Sequence, residues 1–174
     1  RRQVVPDFHI DPSVFKAYDI RGVVPSQIDE AAAEQVARAF VAEVNPSQVV
    51  VGRDVRLSGP EFKQAVINGF IKSGVDVIDI GIVCTDEFYF ACGKKELPGI
   101  MVTASHNPAE YNGVKLGKDY SDTSTPISEI KRLVLQKDFA EGEGKLMQAD
   151  ASYIESYNQD LLKRIGKLKK FKIV

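Results

Sequence analysis

The stretch Val102-Thr103-Ala104-Ser105-His106-Asn107-Pro108 sets a hydroxyl nucleophile beside an imidazole, directly after an apolar run. A serine just past a buried strand is held rigidly while its Oγ can face a cleft. That suits a residue that accepts a group and passes it on. The same residues also fit a polar turn closed by Asn-Pro. Two further stretches offer cations and anion sites. In Tyr18-Asp19-Ile20-Arg21-Gly22 the guanidinium of Arg21 has a planar fork that matches phosphate or carboxylate, with a surface pair to Asp19 as the plainer reading. Gly52-Arg53-Asp54 through Ser58-Gly59 sets a glycine after a strand and before a helix start. It can receive an anion at the helix N-terminus or serve as an ordinary strand-to-helix turn. Beyond the serine, Asn112-Gly113 is a tight-turn signal that would fold Lys115 back towards Ser105.

A serine, an imidazole, an arginine and a lysine around one cleft suit an anionic group. No acidic residue follows at a spacing that suggests a Ser-His-Asp hydrolase, and the Gly-x-Ser-x-Gly elbow is missing. Phosphoryl transfer, which needs positioning and positive charge more than a strong base, fits these residues better than acyl transfer.

The elements that must hold these loops alternate. Val14 to Val24 reads as an extended piece. A helix capped by Ser26, with Asp29 three residues on, carries Ile28, Ala32, Val36, Ala39 or Phe40, and Val44 and ends before Pro46. Gln48 to Val51 is a buried strand. Ser58 and Pro60 open a helix with Phe62, Val66, Phe70 and Ile71 on its apolar face, and Gly74 stops it. A strand over 75–80 closes at Gly81, a short helix covers 87–95, and 99–102 is a third core strand. After a return strand at 113–116, Thr125-Pro126 starts a helix with Ile130, Leu133 and Val134 on its buried stripe. A loop follows at 140–145, then a helix at 153–165 and the beginning of a strand at 169–174. The class is α/β, a mostly parallel mixed sheet between helices. Residues 1–150 read as a catalytic domain. Residues 151–174 read as a connector helix and the start of a second, truncated domain.

Composition bounds the rest. The 174 residues are 44% hydrophobic and 27% charged with a net charge of −1. That is ordinary for a globular chain and gives no global electrostatic reason to expect nucleic acid. No apolar stretch suggests a membrane span and no apolar block marks a signal peptide, so the cytoplasm is the expected location. Cys84 and Cys92 fit no redox or zinc spacing and read as reduced core thiols.

Four motifs together resemble the α-D-phosphohexomutases, most closely the phosphomannomutase/phosphoglucomutase group. They are Phe15-Lys16-Ala17-Tyr18-Asp19-Ile20-Arg21-Gly22, Gly52-Arg53-Asp54-Val55-Arg56-Leu57-Ser58-Gly59-Pro60, Thr103-Ala104-Ser105-His106-Asn107-Pro108 and Tyr111-Asn112-Gly113-Val114-Lys115. The resemblance implies interconversion of hexose 1-phosphate and hexose 6-phosphate through a bisphosphorylated sugar, with mannose and glucose not distinguished. It makes Ser105 the phosphoserine and His106 a residue that helps hold the phosphoryl group. Arg21 and Lys115 stand near the transferring group, where one assists proton transfer. Tyr18, Arg21, Asn107 and Lys115 are the expected substrate contacts. One magnesium ion would bind through a phosphate oxygen on Ser105, its other ligands lying in a second domain beyond these residues. The Asp-Gly-Asp-x-Asp-Arg loop of the family is absent here. The expected partners are a small phosphosugar and the remaining domains of the same chain, with no nucleic acid and no membrane, and this piece alone is expected to be inactive. Cys84-Thr85-Asp86 stands where many members have Pro-Thr-Pro, which alters the start of a helix beside the site. Two readings outside the family are a non-catalytic α/β module that binds a phosphorylated ligand and a serine hydrolase.

Overall fold

The computed structural model describes residues 8–117, 127–137, 139–150 and 152–167. In chain order these form a 3-10 turn (Pro12–Val14), β1 (Ile20–Val23), α1 (Glu30–Val44), β2 (Gln48–Arg53), α2 (Gly59–Lys72), β3 (Asp76–Ile82), α3 (Thr85–Lys95), β4 (Gly99–Val102), β5 (Tyr111–Gly117), α4 (Ile127–Gln136), β6 (Leu146–Gln148) and α5 (Ser152–Ile165). The strands make one sheet in the order β1-β5-β4-β2-β3-β6. β2 pairs in parallel with β4 and β3, and β3 with β6, whereas β5 runs antiparallel to both β4 and β1. The class is the expected one: α/β, with a mostly parallel mixed sheet between helices.

Strand alternation explains the two layers. Val49 and Val51 of β2, Ile100 and Val102 of β4, and Val114 and Leu116 of β5 share one core with α1, α2 and α4. Val50 and Met101 point the other way, into a smaller core with Phe88 and Cys92 of α3. Buried on both faces, β2 and β4 read as continuous apolar runs. The chain leaves β2 through α2 on one face, reaches β3, and crosses back through α3 on the other face to β4. The loops after β2 and β4 therefore part at a topological switch point, the place where α/β sheets bind ligands.

Several boundaries differ from the sequence reading, each for a local reason. α1 is capped by Asp29, whose Oδ1 accepts Ala32 N–H at 2.7 Å, rather than by Ser26. Ser58 precedes α2 but makes no side-chain cap; its Oγ accepts from Asn112 Nδ2 at 2.9 Å. β3 runs through Gly81, which takes φ 78° where the β2–β3 register shifts. α3 starts at Thr85, its first turn fixed by Glu87 accepting Cys84 N–H at 2.7 Å. β6 was not foreseen: three exposed residues joining a sheet edge leave no pattern to read. Cys92 is buried but Cys84 is exposed, so only the first is a core thiol; burial pushes it up to about 12. The helix start at Thr125-Pro126 and the strand at 169–174 lie outside the described residues.

Asn112-Gly113 is not a turn. Both residues lie inside β5, where Arg21 of β1 sits opposite Gly113. A Cβ on Gly113 would lie 2.1 Å from the Ile20 carbonyl oxygen and 2.7 Å from Arg21 Cα. Glycine is what lets β1 close onto β5, so the signal read as a turn is a close approach. Gly113→Ala should push β1 off the sheet at a cost of about 3 kcal/mol. Thermal unfolding followed by circular dichroism should show Tm lower by roughly 5–10 °C. An unchanged Tm would mean that β1 is not held there.

Candidate active site

Ser105 stands three residues beyond β4, exposed, with its backbone in the left-handed region at φ 55°. A non-glycine residue there is strained and needs external support. The support comes from both sides of its own backbone. Ser105 N–H donates to Thr103 Oγ1 at 2.9 Å, and the Thr103 hydroxyl donates to Asp54 Oδ2 at 2.7 Å. The Ser105 carbonyl accepts from Arg56 Nη2 at 2.8 Å. The hydroxyl is left facing solvent with His106, whose Nδ1 is 3.4 Å from Oγ. Among the described residues no carboxylate hydrogen-bonds to His106, so the orienting acid of a hydrolase triad is not in place.

Arg56 does more than meet Ser105. Its two terminal nitrogens also donate to the carbonyls of Asn107 at 2.7 Å, Pro108 at 2.7 Å and Tyr111 at 2.9 Å. Asn107 Nδ2 donates to Ala104 O at 2.7 Å, so this amide ties the loop to itself. The base of β5 is fixed by Asn112, wholly buried, which accepts Gly113 N–H at 2.8 Å and reaches Ser58 Oγ.

Arg21 and Lys115 come together around Asp19. Ile20 and Val114 face the larger core, so their neighbours Arg21 and Lys115 project from the opposite face of the sheet, that of α3. Asp19, only 7% exposed, takes Arg21 Nε at 3.4 Å on one oxygen and Lys115 Nζ at 3.7 Å on the other. The Arg21–Asp19 pair that the sequence offered as the plainer reading thus exists, with a second cation added. Tyr89 of α3 borders this group: burial raises its phenol above the ordinary value, with smaller contributions from Cys92 and Asp19. Since Val102 and Ile20 both pair with Val114, β1 is level with the carboxyl end of β4, and the cations flank the strand that delivers Ser105. Tyr18, next to Asp19, is 81% exposed.

Sequence reasoning missed Arg56, Asp54, Thr103 and Asn112 as site-building residues. All four lie inside the motifs quoted above, beside residues with more conspicuous side-chain chemistry. The missed signal is the need of an irregular loop for donors and acceptors. Thr103→Val keeps the shape but leaves Ser105 N–H without its acceptor and takes from Asp54 Oδ2 the hydroxyl donor, leaving that oxygen only the 3.3 Å contact with Arg56 Nε. It should cost about 1–3 kcal/mol and speed amide exchange at Ser105, whereas Thr103→Ser should change neither by much; parallel exchange and melting measurements on both variants decide this.

The comparisons agree with this architecture. The model of a family described as phosphoglucomutase/phosphomannomutase, alpha/beta/alpha domain I, matches residues 12–141. A Vibrio cholerae protein named phosphomannomutase is 40% identical over 171 residues, covering 92% of this chain and 37% of the relative. A Neisseria meningitidis protein named phosphoglucomutase is 39% identical over 155 residues, covering 83% and 33%. The crystal structure of a phosphoglucomutase/phosphomannomutase family protein from Burkholderia thailandensis superposes with a TM-score of 0.79 at 36% identity, over 88% of this chain and 36% of that one. The chain thus spans about a third of the length of these two relatives. By sequence and by fold it belongs to the phosphoglucomutase/phosphomannomutase family and corresponds to that family's first α/β domain.

Proposed function

We propose that Ser105 is the phosphoryl carrier of a phosphohexomutase whose full-length form interconverts hexose 1-phosphate and hexose 6-phosphate. The observation that carries this reading is an exposed hydroxyl on a backbone pinned on both sides, at the switch point of the sheet. Among the described residues no carboxylate orients the His106 imidazole beside Oγ, so the group is presented as a carrier rather than as a hydrolase nucleophile. Phosphorylated Ser105 gives its phosphoryl group to the free hydroxyl of a hexose monophosphate, forming the bisphosphorylated sugar, and the sugar's other phosphoryl group then returns to Oγ, releasing the isomeric monophosphate. His106, beside Oγ, holds the phosphoryl oxygens. Arg21 and Lys115 supply positive charge for the phosphate, with Lys115 able to move a proton at the sugar hydroxyl. Tyr18 and Asn107 border the substrate.

Magnesium would add charge neutralisation at the phosphoryl oxygens. Among the described residues no group of three or more His, Cys, Asp or Glu gathers to hold a metal ion. From this chain the ion would have the phosphate on Ser105 as its ligand, which fits its usual reliance on substrate phosphates and waters. No helix among the described residues is long and apolar enough to cross a membrane. The substrate of this reading is a small phosphosugar, as the family match suggests.

Incubating the full-length protein with glucose 1,6-bisphosphate should add one phosphoryl group to its intact mass, mapping to Ser105. Ser105→Ala should gain none and lose mutase turnover. Labelling of Ser105 by a fluorophosphonate in place of phosphorylation would favour a hydrolase and overturn the reading. The 174 residues by themselves should show no appreciable mutase turnover in a coupled assay, because they span so little of the relatives' length.

A further inference from the structure

We propose that Arg56 is the positioning residue of the nucleophile loop: it fixes the backbone of Ser105 and so aims the hydroxyl, without touching the group transferred. The consequence for transfer rests on the phosphoserine reading above; the consequence for the loop does not.

The loop from Thr103 to Glu110 connects two strands of the sheet's interior and is irregular, so its carbonyls have no ladder to join. One guanidinium takes the carbonyls of Ser105, Asn107, Pro108 and Tyr111, all at 2.7–2.9 Å. It reaches them from the loop after β2, across the crevice between β2 and β4. The two dihedrals of Ser105 are bounded by its own N–H and its own carbonyl. Thr103 Oγ1 holds the first and Arg56 Nη2 the second. With both peptide groups anchored, a left-handed serine can persist, and its Oγ has little choice of direction.

Arg56 is itself oriented by Asp54. Its backbone N–H donates to Asp54 Oδ1 at 3.1 Å, and its Nε faces Oδ2 at 3.3 Å. The same Oδ2 receives the Thr103 hydroxyl. One carboxylate therefore sets both supports of Ser105. The arrangement needs a planar fork: lysine offers three donors on one atom and cannot serve four carbonyls spread along a loop. All four partners lie in the loop or at its junction with β5, and none in the hydrophobic core. A role confined to fold stability would look different, with partners in β2, α2 or the core.

The test uses the full-length protein with Arg56→Ala and Arg56→Lys. Hydrogen exchange should accelerate in 103–111 and stay unchanged in β2 and β4. Phosphoryl transfer from glucose 1,6-bisphosphate to Ser105 should fall on the order of 100-fold, since a misplacement of about 1 Å costs that much. The loss should sit in kcat, with KM for the sugar phosphate within about two-fold. Millimolar methylguanidinium should restore part of the rate to Arg56→Ala and none to Arg56→Lys, whose side chain still fills the site. Unchanged loop exchange in both variants would overturn the proposal. Equal loss of protection in loop and sheet in both would also overturn it, by making Arg56 a residue of the whole fold. If the unmodified protein takes no phosphoryl group, the phosphoserine reading falls, and the exchange measurement still decides the positioning claim.

Discussion

Backbone polar groups that leave a buried strand must still find partners, and around Ser105 that demand is met from another part of the chain. The carbonyls of the loop after β4 turn to Arg56, which stands in the loop after β2. The geometry of the serine thus depends on how the two loops are spaced. That spacing is set by the parallel pairing of β2 with β4, Val51 opposite Ile100 and Arg53 opposite Val102. The pairing in turn is held by the apolar side chains of both strands on both faces of the sheet. A surface hydroxyl is therefore linked to the core through one guanidinium and one carboxylate.

Two carboxylates organise charge here in different ways. Asp54 works in a closed set: its partners Arg56 and Thr103 spend their hydrogen bonds on the loop, and the Arg56 side chain is 10% exposed. Asp19 works in an open set. Its contacts to Arg21 and Lys115 are long, and those side chains are 28% and 25% exposed. Ion pairs that reach solvent and lack tight hydrogen bonds hold their members weakly. One carboxylate against two cations also leaves a net positive charge. The closed set suits fixing a shape, and the open set suits exchanging one anion for another.

What could be read from the sequence follows from range. β2 and β4 are legible because burial on both faces leaves unbroken apolar runs, and 99–102 matches β4 residue for residue. The apolar stripes of α1 and α2 are legible by periodicity. Caps were harder: Ser26 and Asp29 both suit the start of α1, and only the fold shows that Asp29 faces Ala32 N–H. Asn112-Gly113 misled because a glycine serving close strand approach looks the same, locally, as one serving a turn. Arg56 was out of reach for a stronger reason. Its partners are about fifty residues away, and nothing in Arg56-Leu57-Ser58 says which carbonyls need a donor. Ser105, His106, Arg21 and Lys115 were singled out by side-chain chemistry, which is local. Which of them share a partner was not: Asp19, seen only as a mate for Arg21, also holds Lys115.

The antiparallel edge of an otherwise parallel sheet follows from the same requirement. A parallel return from β4 would need a crossover of a dozen or more residues, carrying the next strand away from the serine. The short antiparallel return brings β5 directly back, so that Lys115 lies opposite Met101 only ten residues after Ser105. β1 then pairs antiparallel with β5 at Gly113 and adds Arg21 and Asp19 on the same face. Had β1 joined at the other edge, beside β6, the arginine would stand beyond β2, β3 and β6 from the serine's strand. The glycine that admits β1 and the hairpin that returns β5 are thus what gather the cations beside the strand that carries the nucleophile.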